Sequence, residues 1–323
     1  MFTYNAISGE KENGTLKAII SNQIPRYTII VGKIIGGFIS IIIPLMIPLL
    51  LAFIILTFNP RLSLNGEDWL RSAMILQSII LYVGIFCSLG LFVSSLSRNS
   101  ALSLFILILA WVSFVYIIPQ GAVMLSERIY PVKTVFEINA EKREAMRKIN
   151  AMLRKTLDVW SEEHKNISDD EFKKHHQAEM QKSSQLMSME IDAIDRKHKI
   201  NLKKQQDTIR VIARFSPASL FHFCVMTLAG TGIEEHDNFQ KYLAEYQTAF
   251  EKWVIYKMQD EIIFVPGQDI TRPDYNTMPE FKYVDESLGT SFSRVLPDFV
   301  SMFFMILLLF AGALKMINTY DVR

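Results

Sequence analysis

Three histidines are the residues of this chain most suited to metal chemistry. His164 precedes the adjacent pair His175 and His176 in a stretch rich in charged residues. A zinc site needs several such ligands that converge on one point. Adjacent residues on a helix point about 100° apart, and the His-Glu-x-x-His motif is absent. The pattern favours a solvated helix face, and we predict no metal site and no cofactor within this chain.

The sequence also offers no arrangement of residues suited to nucleophilic catalysis. The chain has two cysteines, Cys87 and Cys224, and Cys87 lies in an apolar run. Two thiols cannot form a disulfide framework or a four-cysteine zinc site, so buried free thiols are expected. No glycine-rich phosphate loop, nucleophile elbow or Ser/His/Asp arrangement is present. We therefore predict no catalytic residue and expect that this chain is not an enzyme.

The charged residues are distributed very unevenly. The chain has 323 residues, of which 50% are hydrophobic and 21% charged, with a formal net charge of +1. All but six of the acidic and nine of the basic residues lie between positions 121 and 295. A nearly neutral chain lacks the basic face with which a nucleic-acid-binding protein neutralises phosphates. We therefore expect no nucleic-acid partner and look for membrane segments in the nearly uncharged remainder.

Four apolar stretches are long enough to cross a membrane. They cover 29–58, about 70–96, about 101–118 and about 299–317, and the last follows Pro297, which we expect in the first turn of its helix. About 20 apolar residues span a hydrocarbon core of about 30 Å. The predicted fold is an all-α membrane protein with three spans in 29–118 and a last span in 297–318.

Basic residues in the short flanks predict the orientation of these spans. If the amino terminus is inside, the inner flanks hold seven basic residues: Lys11, Lys17, Arg26, Lys33, Arg98, Lys315 and Arg323. The outer flanks hold only Arg61 and Arg71. The positive-inside rule then predicts that residues 1–28 and the tail 319–323 are cytoplasmic and that 119–296 is extracytoplasmic. The apolar stretch 211–229 is interpreted as external and amphipathic, because a span there would reverse the last helix.

The predicted external region contains a long helical hairpin. Residues 137–213 have no glycine or proline and are rich in good helix formers. The stretch 166–171 interrupts the apolar periodicity, and Ser168 with Glu171 has the form of a capping box that starts a second arm. A further helix is expected over 233–257 with an aromatic stripe, followed by an irregular segment over 265–286.

The amino-terminal segment holds the densest motif in the chain. Charged residues Glu10, Lys11 and Glu12 precede a short helical pattern in which Leu16, Ile19 and Ile20 share one face. A charged segment with an apolar face predicts a short helix that lies at the membrane interface. From these residues alone, a plain juxtamembrane anchor remains an equally good interpretation.

The same segment resembles the ABC-2 type permeases, the membrane subunits of one class of ATP-binding-cassette exporters. The matching residues are Gly9, Glu10, Lys11, Glu12, Gly14, Thr15, Leu16, Arg26, Gly32 and Lys33. In that family the motif lies in the first cytoplasmic loop and forms the coupling helix that docks on the ATPase. A looser resemblance, through a Ser-Pro and an Ala-Gly-Thr pattern, extends to a subgroup with a large extracytoplasmic domain: Ser216, Pro217, Ala229, Gly230 and Thr231.

The resemblance implies a permease subunit of an exporter in a bacterial inner membrane. Its partners would be a cytoplasmic ABC ATPase that carries the ATP and magnesium, a second permease chain and a possible envelope partner of the external domain. It also implies that Glu10, Lys11 and Glu12 form ion pairs with the ATPase, and that Gly9 and Gly14 permit tight turns.

One departure and two alternatives accompany this resemblance. The family usually has six membrane helices, two of them before the motif. We therefore expect that the first two were lost, that another chain carries them, or that the start of this sequence has been assigned late. The main alternative is a non-transporting membrane-anchored envelope protein whose external hairpin binds a partner. A membrane-bound hydrolase that uses the external histidines is more distant.

Overall fold

The part of the chain that the structure describes is mostly helical. The computed structural model describes residues 3–21, 25–60, 63–164, 168–260 and 275–320. Residues 265–274 of the predicted irregular segment 265–286 and residues 321–323 of the predicted tail lie outside these ranges. No strand occurs among these residues. Their contacts form two compact units, which are Met1–Tyr116 with Arg214–Arg323 (unit 1) and Ile117–Ala213 (unit 2). The all-α prediction is confirmed, whereas the predicted membrane-based domain boundaries stay a prediction.

Eleven α-helices follow one another in the described residues. They are α1 (Ser8–Glu12), α2 (Thr15–Ser21), α3 (Arg26–Thr57), α4 (Gly66–Leu96), α5 (Ser100–Val112), α6 (Ile118–Ile129), α7 (Val135–Glu163), α8 (Asp169–Ala213), α9 (Pro217–Leu228), α10 (Ile233–Asp260) and α11 (Leu288–Asn318). A π-helical turn, Ser113–Ile117, joins α5 to α6, and a short 3₁₀ turn covers Tyr275–Thr277.

Four continuous helical segments of the described residues are long and apolar enough to cross a membrane, as predicted. They are Arg26–Thr57, Gly66–Leu96, Ser100–Ile129 and Leu288–Asn318. Two extend well beyond the apolar stretches. The third continues through the π-helical turn to Ile129, and the fourth begins at Leu288, so Pro297 lies inside the helix and the prediction of a first-turn proline was wrong. A single proline removes one backbone donor, which a packed membrane helix tolerates.

Helix α4 lies at the centre of unit 1, where it packs against α3, α5, α9 and α11. Its first turn is closed by a capping box, in which the backbone N–H of Asn65 donates to Asp68 Oδ2 at 2.8 Å. At 12 residues, α9 is too short to cross a hydrocarbon core. It instead joins one buried apolar cluster of unit 1, made of Leu81, Ile85, Leu220, Cys224, Leu228, Val295 and Met302. Within the ambiguous stretch 211–229, helix α9 is therefore a packed part of the bundle of unit 1.

The bundle has one end at which α3 and α5 begin and α4 and α11 finish. We call it the basic end, because its residues include Lys11, Lys17, Arg26, Lys33, Arg98 and Lys315. A second buried cluster lies here and joins the amino-terminal helices to α3, α4 and α11 through Ile7, Leu16, Ile30, Leu91, Ala313 and Ile317. These contacts place the motif of residues 7–33 against the ends of the membrane helices.

Unit 2 contains the predicted antiparallel hairpin of α7 and α8. Lys142 pairs with Asp195 at 2.6 Å, while Trp160, further along α7, stacks on His175, nearer the start of α8. At about 1.5 Å per residue the two arms are roughly 44 and 68 Å long. The predicted capping pair is confirmed, because the backbone N–H of Glu171 donates to Ser168 Oγ at 3.4 Å and that hydroxyl donates to Glu171 Oε2.

Helix α10 in unit 1 carries the predicted aromatic stripe. Phe239 and Tyr246 contact Phe281, and Tyr242 contacts Tyr283, with ring centroids 5.6 to 5.8 Å apart. The stripe therefore packs against the segment that leads back towards α11.

Candidate functional site

The amino-terminal motif folds as two short helices at the basic end. Gly14 joins α1 to α2 with φ of +73°, a conformation that residues with a side chain rarely adopt. Gly9, in contrast, lies inside α1, so the expectation that it permits a turn was wrong. Leu16 is 1% exposed and packs in the buried cluster with Ile30 and Ile317. The apolar face predicted for α2 is thus buried on the bundle.

Glu10 joins α1 to the first membrane helix. Its Oε1 atom lies 2.5 Å from Lys33 Nζ, and the two side chains are only 24% and 21% exposed. The Lys33 ammonium also donates to the backbone carbonyl of Ala6. A partly buried ion pair with an added hydrogen bond restricts both side chains much more than a surface pair does.

Lys11 binds the carboxyl-terminal end of α4. Its ammonium donates to the carbonyl of Ser97 at 3.2 Å and to the carbonyl of Ser95. Carbonyls in the last turn of a helix lack intrahelical donors and carry partial negative charge. Burial lowers the pKa of Lys11.

Glu12 makes the complementary contact at the start of α5. Its Oε2 atom accepts a hydrogen bond of 3.1 Å from the backbone N–H of Ser100, in the first turn of that helix. This N–H and the Ser100 hydroxyl lower the pKa of Glu12. An anion at a helix amino terminus also complements the helix dipole.

Arg26 holds the end of the last membrane helix. Its guanidinium donates to the carbonyls of Ile317 at 2.9 Å and Asn318 at 2.8 Å, and more weakly to that of Tyr320 at 3.4 Å. The Lys11 ammonium lies 5.4 Å from the centre of the Tyr320 ring, within the range of a cation–π contact. Through Glu10, Lys11, Glu12 and Arg26, the motif contacts all four membrane helices. We call these four residues and Lys33 the hub.

Two polar contacts that sequence reasoning missed support the hub from α4. The Ser94 hydroxyl accepts hydrogen bonds from the backbone N–H groups of Ile7 and Ser8, at 3.0 and 2.9 Å. The Thr3 hydroxyl donates to the carbonyl of Cys87 at 3.1 Å, beside Gly90, where an added Cβ would collide with it. The only sequence signal was the run of small residues in this part of α4, which allows close approach of another segment.

The family comparison agrees with this geometry. A family model described as ABC-2 family transporter protein matches residues 1–311. The chain belongs to the ABC-2 transporter family. No curated protein and no solved structure matches it. The protein is thus a multi-pass membrane permease of an ABC transporter, and family membership does not favour the non-transporting alternative.

The hub of this ABC-2 permease leaves one face of α2 exposed. Leu16 faces the bundle, whereas Lys17, Ala18 and Ser21 are exposed, as are Gly14 and Thr15 at the turn. The Thr15 hydroxyl donates to the carbonyl of Glu10 at 3.3 Å, which ties the turn to α1. The described structure therefore gives Glu10, Lys11 and Glu12 internal contacts, and their predicted ion pairs with an ATPase stay a prediction.

The permease has a second polar region at the opposite end of unit 1. A cleft of about 800 Å³ there is lined by Arg71, Glu235, Glu286 and other polar residues. Arg71 donates to the carbonyl of Glu286, and Arg294 pairs with the Glu286 carboxylate at 2.7 Å. Burial, together with the neighbouring carboxylates of Glu286 and Asp285, raises the pKa of Glu235. Several of the cleft's charges are therefore used in internal contacts.

The histidines of the permease show no metal arrangement in the described residues. His175 and His164 stack on Trp160, with ring centroids 4.1 and 4.8 Å apart. Within 3–21, 25–60, 63–164, 168–260 and 275–320, no group of three or more His, Cys, Asp and Glu residues is placed to hold a metal ion.

Proposed function

We propose that this permease couples ATP hydrolysis by a separate cytoplasmic ABC ATPase to export across a bacterial inner membrane. The single observation that carries the proposal is the hub, in which charged residues of one short motif contact all four membrane helices. A segment held in this way cannot shift without moving the helix ends. Movement of a docked ATPase would therefore reach every span at once.

In this proposal the exposed face of α2 and the α1–α2 turn form the docking surface. The hub residues set the position of that surface, and exposed residues such as Ala18 meet the ATPase. This division of roles follows from burial, since Glu10 and Lys11 are already held by contacts within the chain. The ATP and magnesium would bind to the ATPase chain.

The orientation follows from the basic end. We infer that this end is cytoplasmic, because it collects most of the basic residues that flank the spans, whereas Arg71 lies at the other end. Both chain termini are then cytoplasmic, and the hairpin of α7 and α8 is extracytoplasmic. A second permease chain would complete the transporter, and the hairpin is free to bind an envelope partner.

Introducing a bulky residue at Ala18 tests the docking surface. Ala18→Trp should abolish co-purification of the ABC ATPase whose gene lies nearest to the gene of this permease, because the indole projects from the exposed face of α2. The matched control is Ile43→Trp, at an exposed position of α3 in its apolar span, which should retain the ATPase. Affinity purification in detergent followed by an ATPase assay measures both. Full retention of the ATPase by Ala18→Trp contradicts the proposed docking surface.

A further inference from the structure

We propose that a cavity between α3, α4 and α5 of unit 1 binds the exported substrate, and that this substrate is an uncharged lipophilic compound with an aromatic ring and a hydrogen-bond acceptor. This inference rests on the proposed function and names the class of compound that would be exported. It gives a role to side chains of the membrane helices that the hub does not use.

The cavity lies among the membrane helices and has the size of a ligand site. Its volume is about 520 Å³, and its lining comprises Thr3, Ile41, Tyr82, Val83, Phe86, Cys87 and Trp111. Small-molecule pockets usually measure about 300–1,000 Å³ and are mostly apolar, with a few polar groups that orient the ligand. None of these seven described residues is charged. An ion would lose its hydration there without compensation, so the lining favours an uncharged ligand.

Aromatic rings form much of the lining, and one of them is held in place by its neighbours. The rings of Tyr82 and Phe86 meet edge to face with centroids 5.0 Å apart, and Phe221 of α9 stacks on Tyr82 at 4.7 Å. Such ring pairs add to the stabilisation from apolar burial and restrict the tyrosine ring. A preformed aromatic wall suits a flat ring better than a saturated chain, because a rigid ring loses little conformational freedom when it binds.

Two hydrogen-bond donors of the lining lie at an unusual depth. Tyr82 is near the middle of α4, and Trp111 lies about 16 Å from the start of α5, so both are close to the middle of a span. Tyrosine and tryptophan are enriched at the membrane surfaces instead. Within the described residues, neither the Tyr82 hydroxyl nor the Trp111 indole N–H has a hydrogen-bond partner in the protein. A carbonyl or ether oxygen of a ligand would satisfy these donors, whereas a hydrocarbon chain cannot.

The cavity is accessible from the side and also reaches the segment that positions the hub. Trp111 is 45% exposed on a candidate membrane span, so a lipophilic compound dissolved in the bilayer can enter between the helices. At the end nearer to the hub the cavity meets Thr3, whose hydroxyl donates to the carbonyl of Cys87 at 3.1 Å. A ligand that contacts Thr3 therefore touches the residues just before α1, and its binding should stimulate the docked ATPase.

Photolabelling with benzophenone tests the site on the permease alone in nanodiscs. Benzophenone is uncharged, has two aromatic rings and one carbonyl oxygen, and attaches covalently to nearby side chains on irradiation. We expect saturable labelling of lining residues such as Ile41, mapped by mass spectrometry. Val83→Trp, which fills the cavity, should remove most of the Ile41 adduct. The matched control Ile43→Trp, at an exposed position of α3 outside the lining, should retain it.

A conservative substitution keeps the test decisive even if Val83→Trp fails to fold. Tyr82→Phe preserves the ring and removes the hydroxyl, so half-saturation should need about three- to tenfold more benzophenone, the effect of one lost hydrogen bond. Tyr116→Phe, at an exposed tyrosine outside the lining, should leave half-saturation unchanged. Labelling that does not saturate, labelling that persists in folded Val83→Trp, or a saturation curve that Tyr82→Phe leaves unchanged overturns the inference.

The permease–ATPase complex then shows whether the bound compound acts as a substrate. Benzophenone should raise the ATPase rate of the wild-type complex, and Tyr82→Phe should shift the half-maximal concentration by the same factor as in the labelling. If the ATPase is bound and active but its rate does not respond, the cavity is a lipid site rather than a substrate site, and the inference is overturned. Failure of any ATPase to co-purify contradicts the proposed function instead, and the labelling of the permease alone is independent of that result.

Discussion

Gly90→Ala is expected to eliminate most of the stimulation of the ATPase by the permease. An added Cβ at Gly90 would collide with the Thr3 hydroxyl and lie 3.3 Å from the Thr3 Cβ. The hydroxyl must then leave its position and its hydrogen bond to the Cys87 carbonyl, and Thr3 must also shift by a few tenths of an ångström, at a cost of about 1–3 kcal/mol for overpacking. Because Thr3 precedes α1 by only a few residues, the hub loses its position.

Substitutions at two glycines of α3 and a second substitution at Thr3 test whether the effect of Gly90→Ala arises from its contact with Thr3. Gly36→Ala should have no effect, because nothing lies within 4 Å of the added Cβ. Gly37→Ala should lower stimulation as Gly90→Ala does, because its Cβ would meet Thr3 Cγ2 at 2.5 Å. Combining Gly90→Ala with Thr3→Gly removes the obstructing side chain and should restore part of the activity. Stimulated ATPase rates in nanodiscs measure all four variants. Wild-type stimulation by Gly90→Ala would show that Thr3 does not position the hub.

Glu10→Lys is expected to have the second large effect. It replaces the pair of Glu10 and Lys33 by two adjacent ammonium groups and leaves Lys33 half-buried without a counter-ion. For this partly exposed pair we expect a loss of about 2 kcal/mol, less than for a fully buried pair. That corresponds to roughly a thirtyfold decrease in the population with a correctly seated motif. ATPase co-purification and stimulated hydrolysis should fall together, while membrane insertion is unchanged.

Exchanging the charges of Glu10 and Lys33 distinguishes an ion pair within the permease from an ion pair between Glu10 and the ATPase. The double variant Glu10→Lys with Lys33→Glu should recover activity if the pair works within the permease. If Glu10 instead pairs with the ATPase, the exchange leaves the complex uncoupled. Glu144→Lys, which breaks the exposed pair with Lys148 on the hairpin, serves as a control and should be close to neutral.

The sequence was informative wherever local patterns decide structure. The lengths of the apolar stretches predicted four membrane helices, and the absence of glycine and proline over 137–213 predicted the two arms of the hairpin. The break between them was marked by Ser168 and Glu171, whose mutual contacts depend only on neighbouring residues. Such features require no knowledge of the tertiary arrangement.

The partners of the motif residues could not be predicted in this way. Glu10 contacts Lys33, and Arg26 contacts Asn318, across separations of 23 and 292 residues. Charged residues in a cytoplasmic loop can equally well face a partner chain, a lipid headgroup or a helix end. The start of α11 was misplaced for a related reason, since Pro297 alone does not reveal whether the surrounding bundle tolerates it inside a helix.

The role of the amino-terminal motif as the ATPase docking site is tested most directly by photo-crosslinking at Ala18. With p-benzoylphenylalanine at this exposed position of α2, irradiation of the native complex should join the permease to the ABC ATPase, detected as one product by mass spectrometry. The same probe at Phe105, which is exposed on α5 in the predicted membrane region, should yield no such product. If the ATPase co-purifies but only lipid adducts form at Ala18, the motif does not dock the ATPase.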